Sequence, residues 1–135
     1  MAKDYAERAR WLLKEAEDAL AASNNAICVR RSQEALEIST KATLRRLAIE
    51  YPREHDVSAA LDAASGRLPN ELQEKLGGVK SLLAELARLR GPAFYGYEAE
   101  GTPASEAFTA EYAARTFAAV KPIVNRLIEF ANASH

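Results

Sequence analysis

The chain is poor in the residues that build metal centres and disulfides. Among its 135 residues there is one cysteine, Cys28, and there are two histidines, His55 and His135. A single thiol excludes an internal disulfide, and a cysteine-based zinc centre needs several soft ligands. Two imidazoles, one on the last residue, leave no set for a histidine-rich centre or a recognisable nucleophile–His–Asp arrangement. No metal and no cofactor is therefore expected. Long apolar runs are also missing, none approaching the ~20 residues that cross a bilayer. The start, Met1-Ala2-Lys3-Asp4-Tyr5-Ala6-Glu7, is too charged for a signal peptide. These features point to a cytoplasmic, thiol-reduced protein without a membrane partner. Nor is there an excess of one charge: 18 Lys and Arg against 19 Asp and Glu leave a net −1. Any binding of nucleic acid must come from a local patch.

What is present is a globular balance, 48% hydrophobic and 27% charged. The length suits one domain, 1–135, able to bury a core without covalent staples. No segment alternates apolar and polar residues for long, so no sheet is expected, and no Gly-rich phosphate loop follows a strand.

Helical spacing runs through most of the chain. In 4–22, Tyr5, Ala9, Leu12, Ala16 and Leu20 recur at steps of three and four. Ser23-Asn24-Asn25 suits a helix end followed by a new N-cap. In 26–49, Cys28, Ser32, Ala35, Ser39 and Ala42 form a stripe of small side chains that lets another helix approach closely. Leu36, Ile38, Leu44 and Leu47 lie elsewhere around the same helix, which makes it the expected centre of a bundle, and Pro52 sets its end near Tyr51. Glu37 and Lys41 form an i,i+4 pair.

Asp56 is placed to cap a short helix over 57–64, closed by Gly66. Asn70 with Gln73 suggests a capping box for a helix over 70–90. Gly77-Gly78 inside that run predicts a break, kink or close backbone contact, and Gly91-Pro92 predicts its stop. Residues 94–105 look like a loop. Thr109 is placed to cap a last helix with Ala113, Phe117, Val120, Val124, Leu127 and Ala131 on one face, kinked at Pro122. The expected fold is all-α, an up-and-down bundle of four to five helices.

The densest polar and aromatic cluster is 90–97. An arginine there, Arg90, has the fork that holds a phosphate, and Tyr95 and Tyr97 have the donors and rings to accompany it. The same residues also fit a plainer role, with Arg90 complementing a helix C-terminus and the tyrosines pinning a loop. Arg30, Lys41 and Arg45, flanked by Arg31 and Arg46, share one edge of the second helix. They form either a phosphate-facing strip or a solvated edge paired with Glu34, Glu37 and Glu50. His55-Asp56 has the letters of a metal pair without the further ligands, and fits a loop histidine beside an N-cap aspartate.

The stretch Cys28-Val29-Arg30-Arg31-Ser32-Gln33-Glu34-Ala35-Leu36-Glu37 resembles the second helix of HEPN domains. The turn Glu50-Tyr51-Pro52-Arg53-Glu54-His55-Asp56-Val57 is similar to the connection that follows it. Arg90 through Gly96, then Pro103 and the last helix, extend the resemblance over nearly the whole chain. It implies a bundle that usually forms a homodimer. It also implies association with RNA cleavage, as in toxin–antitoxin pairs, or with a minimal nucleotidyltransferase partner.

Ribonuclease members of that family carry an arginine followed four to six residues later by a histidine, often with a tyrosine after it. Arg90 and Tyr97 match the first and last, and Tyr95 stands at the histidine. Imidazole exchanges protons near neutrality, whereas a phenol titrates near ~10 and is a poor base at pH 7. The expectation is a nucleotide- or RNA-phosphate-binding or nucleotidyltransferase-partner module with weak or no catalysis. Its ligand-contacting residues would be Arg90, Tyr95, Tyr97, Arg30 and Arg45. The alternatives are a metal-independent ribonuclease using Arg90 with Tyr95 or His55, and a structural adaptor without a ligand.

Overall fold

The structure, a computed structural model, describes residues 2–48, 57–96 and 100–133, with backbone alone for Arg90, Ala93 and Phe94. Its α-helices are α1 Ala2–Ala21, α2 Asn25–Arg46, α3 Ser58–Ala64, α4 Asn70–Arg88, α5 Arg90–Tyr95 and α6 Ala110–Asn132. No β-strand occurs among the described residues. The all-α bundle expected from the spacing is present, with α1, α2, α4 and α6 as its long members.

Side-chain pairs fix the directions of these helices. Tyr5 with Arg45 and Glu15 with Arg31 set α1 antiparallel to α2. Cys28 against the Ala113 carbonyl and Arg46 over Phe130 set α6 parallel to α2. Glu71 with Arg126, and a cavity shared by Glu85 and Arg115, set α4 antiparallel to α6. The result is an up-down-up-down order with α2 packed against α1, α6, α4, α3 and α5.

The small-residue stripe explains that central place. Cys28, Ser32, Ala35, Ser39 and Ala42 are all fully buried, as are Leu36 and Leu44. The stripe is consumed within the subunit and leaves nothing for a dimer contact. Ser39, Thr40 and Thr43 satisfy their buried hydroxyls on carbonyls one turn back, at 2.8–3.1 Å. The α6 face behaves as its spacing predicts, with Ala113, Phe117, Val120, Val124, Leu127 and Ala131 buried. On α1 the buried line is Ala6, Ala9, Leu13 and Ala16, with Tyr5, Leu12 and Leu20 at its margin.

The N-cap expected within Ser23-Asn24-Asn25 forms at Asn24, and the one expected at Thr109 forms there. Asn24 Oδ1 accepts from the Ile27 amide and Thr109 Oγ1 from the Tyr112 amide at 3.0 Å. The α1–α2 turn passes through Ser23 at φ 61°, a left-handed residue next to the cap. α2 ends at Arg46, earlier than the expected Ile49, and Ala48 takes φ 58°. Pro52 and Asp56 lie outside the described residues, and Val57 holds the N-cap of α3. Gly66 lies in a 3-10 turn, Ser65–Arg67, that follows α3.

Two expectations fail for physical reasons. The capping box of Asn70 and Gln73 is absent. Pro69 holds the N-cap and has no N–H for the reciprocal bond, so Gln73 Nε2 donates to the Leu68 carbonyl at 2.8 Å. Gly77-Gly78 neither breaks α4 nor receives a close neighbour, because both lie on the solvent face with nothing within 4 Å of a Cβ. α6 stays helical on both sides of Pro122, and the Ala118 carbonyl deprived of its bond lies on the exposed side.

Candidate functional site

Residues 94–105 are not simply a loop, and Gly91-Pro92 does not simply stop the chain's helical path. α4 ends at Arg88, Leu89 turns the backbone, and α5 begins at once with Arg90. Pro92 is the third residue of α5, inside the first turn, where a missing N–H leaves no intrahelical bond unmade. The Gly96 amide donates to the Pro92 carbonyl at 2.8 Å and closes the helix.

Gly96 fixes where α5 points. It is buried at φ 76°, a left-handed conformation that favours glycine. A Cβ there would meet the Thr102 carbonyl, Pro103 C at 2.5 Å and Ala104 N at 2.6 Å. The chain entering the 3-10 turn Ala104–Glu106 therefore lies directly on the end of α5. That turn also packs on α2, and Asn25 Nδ2 donates to the Phe108 carbonyl at 3.1 Å. The predicted cluster thus sits where α2 and α6 begin. The sequence reading named Gly96 without its role; a glycine between two tyrosines was the available signal.

Tyr95, the last residue of α5, is 65% exposed, an uncommon state for a large aromatic side chain. Arg90 is the first residue of the same helix. Five residues correspond to about 140° around a helix axis, so the two positions lie on different sides of α5. Tyr97, His55 and His135 lie outside the described residues.

The arginine strip on α2 is engaged within the subunit. Arg30 pairs with Glu34 at 3.4 Å, and Arg31 with both Glu15 and Glu34 at 2.8 Å. Lys41 pairs with Glu37 at 3.2 Å. Arg45 lies 4.6 Å from the centre of the Tyr5 ring and donates to its hydroxyl at 3.3 Å. Arg30 shares the α5 end of the bundle, whereas Arg45 stands about 22 Å further along α2 at 1.5 Å per residue. The two cannot meet on one phosphate. A cavity of about 360 Å³ on the adjoining α1–α2 face is lined by Glu15, Glu34 and Glu37 with Arg8, a poor lining for an anion.

Cys28 offers no alternative chemistry. Burial pushes its thiol above the ordinary value, only partly opposed by a hydrogen bond with Ser32, and the thiolate is the reactive form. Among the described residues no group of three His, Cys, Asp or Glu is placed to hold a metal ion. No helix among them is long and apolar enough to cross a membrane.

Comparison with curated proteins and with solved structures finds no match. Comparison with protein families does: the HEPN domain matches residues 2–130, which takes in every helix from α1 to the last turn of α6. On that coverage, together with the all-α bundle, the chain belongs to the HEPN domain family.

Proposed function

We propose that this HEPN domain binds an RNA or nucleotide phosphate through the 90–97 segment and cleaves RNA feebly or not at all. Such a module serves as the partner of a minimal nucleotidyltransferase or as the binding half of a two-component pair, acting as a homodimer. One observation carries the reading. At the position where ribonuclease relatives place an imidazole, α5 presents the phenol of Tyr95 to solvent. A phenol donates a hydrogen bond to a phosphate and stacks on a base, yet makes a weak general base at neutral pH. Arg90 supplies the cationic fork at the other end of the same helix. Arg30, at the same end of the bundle, extends the contact along α2.

Single-stranded RNA in EDTA tests the reading by fluorescence anisotropy and by gel. Binding that weakens with salt and in Arg90→Ala, with intact RNA recovered, is the expected result. Absence of binding, or affinity unchanged in Arg90→Ala, contradicts it.

A further inference from the structure

A second feature at this end of the bundle lies between α4 and α6. A cavity of about 500 Å³ opens between the end of α4 and the start of α6. Glu85, Arg88 and Leu89 line it from α4 and the turn after it. Phe108, Tyr112 and Arg115 line it from the other side. The volume falls within the ~300–1,000 Å³ of small-molecule sites and suits a ligand up to the size of a mononucleotide.

Among the described residues, the charges lining it are two guanidiniums against one carboxylate. Arg88 and Arg115 are 27 positions apart in sequence and come from different helices, yet they face one space. Neither has an ion pair or hydrogen bond to any described residue. Most other arginines of the bundle are engaged: Arg31 on Glu15 and Glu34, Arg67 on the Leu47 carbonyl, Arg126 on Glu71. Two like charges left around one concavity repel each other until an anion stands between them. A phosphate with two or more oxygens to offer is the group that two guanidinium forks match.

The rest of the lining says what the phosphate is attached to. Glu85, half-buried, accepts hydrogen bonds from hydroxyl groups and disfavours a bare anion placed deep in the cavity. The wall opposite is aromatic. Tyr112 stacks on buried Phe108 with centroids 5.7 Å apart and planes at 19°, a rigid platform for a flat ring or a sugar face.

From this we infer that the Arg88–Arg115 cavity is a binding site for a sugar phosphate monoester, up to the size of a nucleoside monophosphate. The two arginines hold the phosphate, Glu85 holds the sugar hydroxyls and Tyr112 forms the wall. No covalent step is involved.

Nitrogen–proton NMR titrations of the full chain test this with ribose 5-phosphate, adenosine 5′-monophosphate, ribose and inorganic phosphate. Both phosphate esters should give saturable shifts at the Leu89, Phe108 and Tyr112 amides, with ribose silent and inorganic phosphate weaker than either ester. Arg88→Gln and Arg115→Gln should each weaken ribose 5-phosphate about tenfold, as expected for one charged hydrogen bond. Both positions are exposed, so the fold is expected to survive, and circular dichroism checks it. Lys14→Gln, on the exposed side of α1, should leave this binding unchanged. No saturable shift, undiminished binding in the double variant, or equal affinity for inorganic phosphate and ester would each overturn the assignment.

Discussion

Gly96 and Thr102 are in backbone contact: the Thr102 carbonyl occupies the space where a Cβ on Gly96 would be. This approach, with φ at 76°, ties the end of α5 to the chain entering the 3-10 turn before α6. Gly96→Ala should destabilise the protein by at least about 1–3 kcal/mol, the usual range for a residue forced into such a conformation. Thermal unfolding followed by circular dichroism measures it, and an unchanged midpoint would show that the approach is soft.

The two glycines of α4 predict the opposite sign. Gly77 and Gly78 face solvent mid-helix and have open space where a Cβ would go. Alanine at either position should stabilise by up to ~1 kcal/mol, because it restricts the unfolded chain and meets nothing when folded. Chemical denaturation of the single variants would show the gain. A loss would mean that this face meets something in solution.

Glu37 is nearly buried on α2, and it accepts from Gln33 Nε2 at 2.8 Å while pairing with Lys41 at 3.2 Å. Lys41→Met keeps the aliphatic stem and removes the cation from a desolvated carboxylate. The expected loss is on the order of 2 kcal/mol, because a buried charge loses its partner. Much of it should return in the double variant with Glu37→Gln, which makes a double-mutant cycle the measurement. Additive effects would show that the pair is uncoupled.

The Glu71–Arg126 pair carries a pH signature. The hydrogen bond from Arg126 holds the Glu71 carboxyl below its ordinary value, helped by the charges of Arg126 and Lys75. A lowered folded value means stability that is present above the unfolded glutamate pKa of ~4.3 and lost as pH falls through the folded one. Denaturation midpoints should therefore drop more between pH ~5 and pH ~2.5 in the native chain than in Arg126→Gln. The difference should be small and should shrink in high salt, since Glu71 is exposed. Parallel pH profiles of the two proteins would contradict it.

The bundle was legible in the sequence where local rules and burial agree. The α6 face, the small-residue stripe of α2 and the caps at Asn24 and Thr109 all follow from spacing and side-chain chemistry. Errors arose where a residue's effect depends on which way it faces. Gly77 and Gly78 carry no consequence because they are outside, and Pro92 is harmless because it falls in a first turn. At the site, Arg90 and Tyr95 could be singled out by residue type and by the family resemblance. Their placement around α5 could not, because it depends on the α4–α5 turn and on Gly96 meeting a segment six residues later. Arg88 and Arg115 escaped notice because only the antiparallel packing of α4 on α6 brings them to one cavity. The partners of the α2 cations were half visible: Glu34 and Glu37 are local, whereas Glu15 and Tyr5 come from α1.

The central claim is that this domain holds an RNA or nucleotide phosphate while lacking an effective proton acceptor at Tyr95. The most direct measurement is the rate of single-stranded RNA cleavage in EDTA at neutral pH by the native chain and by Tyr95→His. The account predicts little or no cleavage by the native chain and a gain on the order of a hundredfold or more in Tyr95→His, the scale of one general acid–base group. Rapid cleavage by the native chain, lost in Arg90→Ala and not improved in Tyr95→His, would contradict it.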